Sequence, residues 1–321
     1  MRAVAVREFG AEPELIQLPK PEPEQGEVVV KIEYASLNPL DWQIADDALP
    51  SSGRGRVPQP ESPQPFPLVL GADFAGKVDV VGPGDNRFRV GDAVFGRASG
   101  HSAGSYAEYV SVPQDGPVAF VPEGLALRDA ALLPTAGTAA VRLLDLTGVR
   151  AGESLLVLGA AGGVGCLLTQ LAADRGVRVV AVVRGDERRR MRGLGAAFTV
   201  DATAEDTAGA VRRACPDGVD AVADLVAGTP ESFAVHARLG RAGAVAVATR
   251  FDAGATPLAD GVKGVGFRLR PSPTLLDALA AAAAEGALRI PVDVELPLEK
   301  APDALMQNRA GGARGKTVFV L

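Results

Sequence analysis

The sequence predicts a two-domain α/β chain, a β-rich domain joined to a doubly wound parallel sheet, and three observations carry that reading. Up to about Val121, short β-like runs are punctuated by Gly and Pro at close spacing, the pattern of an antiparallel, partly barrel-like domain. After Leu125, apolar strands alternate with helical stretches, which implies βαβ units and a parallel sheet. From about Pro271 the pattern changes again, to an Ala-rich helix, a β-like stretch, a short helix and a closing strand, expected to rejoin the first domain. The expected boundaries are 1–125 with 270–321 for the β-rich domain and 126–269 for the parallel-sheet domain.

The composition agrees with this division. A chain of 321 residues, 47% hydrophobic and 22% charged, is long enough for about two cores. Its 38 Gly and 24 Pro show no three-residue period, which excludes collagen and wholesale disorder. A net charge of -6 argues against a nucleic-acid partner, because phosphate contacts need clustered Lys and Arg. Two cysteines, Cys166 and Cys215, are too few for a disulfide framework or a Cys-rich zinc lobe, so a reducing cytoplasm is the expected compartment. The opening MRAVAVREFG carries Arg2, Arg7 and Glu8 where a signal peptide needs an apolar core, and no apolar run approaches the roughly 18 residues of a membrane span. Small molecules are the expected partners, with neither nucleic acid nor membrane.

Taken in order, the first domain reads as strands in AVAV, EVVVKIEYA, GKVDVVG, DAVFG and YAEYVSV. Between the second and third of these, Asp46 to Pro67 holds six prolines and little apolar content, so it reads as a long surface loop and a candidate lid. The second domain reads as strand ESLLVLG, helix CLLTQLAADRG, strand VRVVAVV, a helix to Gly195, then strands VDAVADLV and GAVAVAT. VKGVGFRLR, Val262 to Arg270, reads as an apolar edge strand that could pair two copies into a homodimer. LLDALAAAAAEGAL is a helix, since Ala has the highest helix propensity.

Strand SLLVLG runs into GAAGGVG and then into a helix from Cys166, the strand, glycine turn and helix that a Rossmann-type dinucleotide site requires. Glycines let the backbone approach a pyrophosphate, and the helix amides then face its charge. Ala161, Gly162, Gly163, Val164 and Gly165 are the expected pyrophosphate contacts. The next strand ends at Arg184 rather than at the Asp or Glu that would accept both ribose hydroxyls of NAD, and Arg188, Arg189 and Arg190 follow. Arg184 and Arg188 therefore favour a 2′-phosphate, hence NADPH; Arg189 and Arg190 read as solvating a helix face.

The ordered strings ASLNPLDW, FPLVLGADFAGKVDVVGPG, FRVGDAVFG, GSYAEYV, LLPTAGTAA, GAAGGVG and RGKTVFVL resemble the medium-chain dehydrogenase/reductase superfamily, in its zinc-free quinone oxidoreductase-like branch, over essentially the whole chain. The resemblance implies a GroES-like catalytic domain beside the Rossmann domain. It also implies an NADPH-dependent, zinc-independent transfer of hydride to a quinone or to the activated C=C bond of an α,β-unsaturated carbonyl. Zinc-dependent relatives carry Cys at the position of Asn38, Gly-His-Glu where Gly71, Ala72 and Asp73 stand, and Cys or Asp at Thr135; an amide, a methyl and a hydroxyl do not replace thiolate and imidazole. Asn38 and Gln43 are the implied catalytic pocket groups, Asn38 near the nicotinamide. Gln43 replaces a frequent Tyr and Ala139 a Thr, which puts quinones as natural substrates in question. Implied cofactor contacts are Thr135, Thr249, Phe251, Phe267 and Lys316, with Arg188 matching a phosphate-binding Lys. A natural-product tailoring reductase and a non-catalytic NADPH-binding sensor or structural protein are the alternatives.

Other polar residues have simpler readings. Asn38, Pro39 and Asp41 fit the N-cap, first position and first turn of a helix. Asp73 reads as a paired structural carboxylate, with proton donation as the alternative. His101 reads as a solvated loop residue, His236 as structural, and Cys166 as a small packing residue.

Overall fold

The computed structural model describes residues 1–46, 66–98, 104–256, 258, 261–311 and 315–321. The candidate lid at 47–65 and His101 lie outside the described residues. Two compact units result, one from the residues up to Thr138 together with Pro271–Leu321, the other Ala139–Arg270. The unit boundary falls inside a helix, Pro134–Thr147, between Thr138 and Ala139, well after the change of periodicity at Leu125.

The β-rich unit runs through β1 (Arg2–Val6), β2 (Glu14–Gln17), β3 (Glu27–Ser36), helix α1 (Pro39–Ala45), β4 (Leu68–Val69), β5 (Asp73–Val81), β6 (Ala93–Arg97), β7 (Tyr109–Pro113), β8 (Val118–Phe120), the single turn α2 (Leu127–Ala130) and the start of α3 (Pro134–Thr147). β3 is the organiser. Val28, Val29, Val30, Ile32, Ala35 and Ser36 are buried while Lys31 is exposed, and its two edges pair antiparallel with β5, β7 and β16 (Lys316–Val320). Val4, Val28, Val30, Phe74, Val94 and Tyr106 share one core with Leu298, Leu305 and Phe319 from the tail.

The parallel-sheet unit follows with β9 (Ser154–Leu158), α4 (Gly163–Asp174), β10 (Arg178–Val183), α5 (Arg188–Gly193), β11 (Phe198–Asp201), α6 (Thr207–Ala214), β12 (Val219–Asp224), α7 (Pro230–Ala237), β13 (Gly240–Ala248) and β14 (Lys263–Val265). β9 and β10 read as continuous Leu/Val runs because strands inside a parallel sheet are buried on both faces. The strand order β11-β10-β9-β12-β13-β14 reverses its winding between β9 and β12, the switch point outside which open α/β sheets bind ligands. β14 is the edge strand expected from VKGVGFRLR, but only Lys263–Val265 is strand.

The tail is part of the β-rich unit and runs through α8 (Pro273–Ala284), β15 (Val292–Pro297), α9 (Ala301–Ala310) and β16 (Lys316–Val320). β16 lies between β15 and β3, so the end of the chain is an interior strand of the sheet. Gly137 of α3 packs on Leu279 of α8, whose side chain a Cβ at 137 would meet at 2.7 Å.

Candidate active site

In the parallel-sheet unit the glycine turn leaves β9 at Gly159, whose φ of +81° suits only glycine without strain, and enters α4 at Gly162. Two of the glycines answer to a close neighbour. A Cβ at Gly159 would meet Val226 Cγ1 at 2.7 Å, and one at Gly165 would meet the carbonyl oxygen of Gly159 at 2.4 Å. Helix and strand end therefore approach more closely than any side chain permits. The first-turn N–H groups of α4 have no acceptor within their helix, so Gly163, Val164 and Gly165 offer donors and a positive dipole end to an anion. A pyrophosphate fits this turn.

Arg184 and Arg188 are exposed just after β10. Asp201 at the end of β11 accepts the N–H of Gly185 at 2.8 Å, pinning the turn that carries Arg184, and its carboxyl is held below the usual range first by the Thr203 hydroxyl and then by backbone N–H groups. Arg190 differs from its expected role as a solvated helix residue. It is half-buried, and its guanidinium reaches Cys166 Sγ at 3.3 Å and the Ala161 carbonyl at 3.5 Å, a cation laid against the glycine turn. Cys166 is buried and its thiol is pushed up to about 11 by burial, which fits a packing role and not a reactive thiolate. His236 Nδ1 pairs with the buried Asp224 at 2.6 Å, while the other Asp224 oxygen takes the N–H groups of Val226 and Ala227 at 2.9 and 2.8 Å. That agrees with a structural His236. Thr249 follows β13, with its N–H on the Asp224 carbonyl at 3.3 Å; Phe251 stacks edge-on against Phe233 at 5.5 Å; Phe267 is half-buried beyond β14.

In the β-rich unit, positions far apart in sequence converge on one buried polar cluster. Asp73, fully buried at the start of β5, accepts four hydrogen bonds: Ser36 Oγ at 3.2 Å, Asn38 Nδ2 at 2.9 Å, Thr135 N at 3.1 Å and Thr135 Oγ1 at 2.6 Å. Arg97 Nε donates to Thr135 Oγ1 at 3.3 Å, and Lys316 Nζ donates to Asn38 Oδ1 at 2.7 Å and to the Leu37 carbonyl at 3.1 Å. Asn38 stands at the N-cap of α1, but its side chain makes no cap hydrogen bond, being turned instead toward Asp73 and Lys316. Capping falls to Asp41, whose Oδ2 accepts the Asn38 N–H at 2.8 Å and the Tyr106 hydroxyl at 2.6 Å. Burial is the main reason the Asp41 carboxyl rises to about 7, and its Oδ1 has no partner. Tyr106 in turn lies against Gly71, where a Cβ would meet its ring at 2.3 Å. Gln43 sits half-buried on α1, one turn and a half after Asn38.

Three of the positions where zinc-dependent relatives carry ligands, Asn38, Asp73 and Thr135, thus meet in space and bind each other. The fourth, Ala72, is buried with only a methyl to offer. An amide, one carboxylate and a hydroxyl already joined by hydrogen bonds do not fit Zn²⁺, and the described residues contain no group of three or more His, Cys, Asp or Glu able to hold a metal. Arg97, Ser36 and Tyr106 escaped the sequence reading. Tyr106 alone left a signal, a large polar aromatic inside the glycine-flanked GSYAEYV string.

Comparison with known proteins accords with both units. A family model described as an alcohol dehydrogenase GroES-like domain matches residues 24–123, and one described as zinc-binding dehydrogenase matches 194–319. The chloroplast envelope quinone oxidoreductase homolog of Arabidopsis thaliana is 30% identical over 95% of this chain and 93% of its own. The 2-methylene-furan-3-one reductase of Solanum lycopersicum is 30% identical over 93% of this chain and 73% of its own. For the chloroplastic quinone-oxidoreductase homolog of Spinacia oleracea, 34% identical, the match spans 58% of this chain and 55% of that protein. Among solved structures, the quinone oxidoreductase of Coxiella burnetii superposes with a TM-score of 0.85 at 28% identity, covering 100% of this chain and 99% of that one. A mycobacterial protein complexed with NADPH superposes with a TM-score of 0.82 at 28% identity, covering both chains fully at 100%. A GroES-like match over the strands that build the buried cluster, a glycine turn at the switch point of a parallel sheet and end-to-end similarity to named quinone oxidoreductases lead to one assignment: the chain belongs to the medium-chain dehydrogenase/reductase family, in its quinone oxidoreductase branch.

Proposed function

We propose that the protein is an NADPH-dependent, zinc-independent reductase of quinones or of the activated C=C bond of α,β-unsaturated carbonyls. The observation that carries the reading is the glycine turn at α4 with Arg184 and Arg188 exposed beyond β10, where an NAD site would place an acid. Bound NADPH supplies a hydride for the β-carbon of the acceptor. The protein supplies position and polarity: the amides at the start of α4 hold the pyrophosphate, Arg184 and Arg188 the 2′-phosphate, and Thr135, Thr249, Phe251 and Phe267 the remainder of the cofactor. Gln43 orients the substrate carbonyl and stabilises the enolate by hydrogen bonding. Neither Asn38 nor Gln43 titrates near neutral pH, so neither delivers the proton, which water can supply.

The test is stopped-flow NADPH oxidation with 1,4-benzoquinone and 2-cyclohexenone, alongside NADPH and NADH affinities. Selective NADPH binding and turnover on at least one acceptor support the reading, while binding without oxidation of NADPH favours the sensor protein. Gln43→Ala should lower turnover roughly tenfold without weakening NADPH binding. Chelators should leave the rate unchanged, and stoichiometric zinc lost together with turnover would count against metal independence. The protein acts in the cytoplasm, a reading supported by its two free cysteines and checked by cell fractionation. β14 at the edge of the six-stranded sheet supports a homodimer, which a mass near 33 kDa by light scattering would refute.

A further inference from the structure

Lys316 reaches the cluster from the last strand, 278 positions from the side chain it holds. Its ammonium is buried, and both of its acceptors, the Leu37 carbonyl and Asn38 Oδ1, lie at the entry to α1. The other end of the same amide is taken by Asp73, which is itself fixed by Thr135 and Ser36. Asn38 is therefore suspended between a cation on its oxygen and an anion on its N–H. Both polarise the amide in one sense, which fixes its orientation and sharpens its N–H groups as donors. The second proton on Nδ2 has only a 3.5 Å approach to the Ser36 carbonyl, so it is the loosely held donor of the group.

We propose that Lys316 is a positioning residue for the reduction: it fixes the Asn38 amide, and through the entry to α1 the half-buried Gln43, so that the polar groups of the site are set by a lysine of the last strand. The inference rests on the reductase reading above. It assigns Lys316 to Asn38 and not to the cofactor. The charged and titratable groups around the ammonium are Asp73 on β5 and Asp41 on α1, with Tyr106 holding Asp41 and Arg97 on β6 reaching Asp73 through Thr135. Burial lowers the Lys316 pKa from the usual lysine range while Asp73 and Asp41 raise it. Loss of that proton removes the charge from the donor that holds Asn38 Oδ1 and weakens the hydrogen bond, so turnover acquires an alkaline limb.

The experiment compares wild type, Lys316→Met, Asn38→Ala and the double variant in NADPH oxidation with 2-cyclohexenone across pH. Lys316→Met should lower kcat about tenfold with the KM for NADPH within about twofold, and should lose the alkaline limb. The double variant should be no slower than the slower single variant, because both changes remove one interaction. Additive losses overturn the proposal, as does a raised KM for NADPH at unchanged kcat, which would place Lys316 on the cofactor. A second measurement needs neither turnover nor a folded variant at position 316. In ¹⁵N-labelled wild type, the side-chain amide signals of Asn38, assigned by their loss in Asn38→Ala, should be protected from exchange and should shift as Lys316 titrates. Rapidly exchanging, pH-insensitive signals would overturn the proposal even for a protein that reduces neither quinone nor enone.

Discussion

In the parallel-sheet unit Arg184 and Arg188 stand outside, and in the β-rich unit the polar cluster around Asp73 is kept inside. Arg184 and Arg188 are exposed beyond β10 with no ion pair among the described residues, whereas Asn38, Asp73, Thr135 and Lys316 are each 8% exposed or less and satisfy one another. The difference separates two kinds of dependence. Groups that wait for a ligand lose affinity when removed, and groups that complete each other lose stability, since a buried partner left alone bears its full desolvation cost.

The strongest way to break this contrast is Asp73→Ala. It strands four donors and leaves the Lys316 ammonium without one of its two buried anions, so urea unfolding should show a loss of about 3 to 5 kcal/mol. A loss below about 1 kcal/mol would mean that the cluster is loosely held. Gly165→Ala comes next. Its Cβ would sit 2.4 Å from a backbone oxygen, so the turn must open, and NADPH affinity measured by fluorescence titration should fall at least tenfold. Arg184→Ala with Arg188→Ala should cost about 1.5 to 3 kcal/mol of NADPH binding per contact and almost nothing in thermal stability. An equal drop in NADH affinity would show that the arginines do not read the 2′-phosphate.

The last effect is a pH slope, gentle at any single pH. The folded state holds the Asp41 proton up to about 7, far above the ordinary value of 3.8 for the unfolded chain. The native state therefore binds more protons between these values, and stability from this group is complete below about pH 4 and falls as pH rises toward 7, by at most about 1.4 kcal/mol per unit. Asp41→Asn should flatten that decline in melts recorded across this window, and an unchanged slope would exclude Asp41 as its source.

The same contrast decides what the sequence makes legible. GAAGGVG and the alternation of strands and helices are contiguous strings whose meaning follows from backbone geometry, and the parallel sheet and the glycine turn before α4 follow them. The cluster is assembled from contacts across 35, 62 and 278 positions, and no local pattern encodes them. Asn38 shows why. By itself it is an N-cap residue, and only the arrival of Asp73 and Lys316 turns its side chain away from the cap. Arg190 fails for a similar reason, because its helix position faces the glycine turn only once β10 is laid beside β9. β11 was too short and too exposed at Phe198 to stand out from its loop.

The interior position of β16 also bears on the order in which the molecule is made. Ala139–Arg270 is one uninterrupted stretch, so every residue of its core has been synthesised before Pro271 is added. The β-rich unit begins first and finishes last. Until residues 316–320 emerge, β3 lacks the strand that pairs Tyr34, Ala35 and Ser36, and Asn38 lacks its lysine. A nascent chain thus carries a fully synthesised parallel sheet while β3 still has an open edge, and a chain that lacks β16 leaves that edge bare. Translation to the final strand is what closes the sheet, so proteolysis of truncated products has a ready mark to recognise.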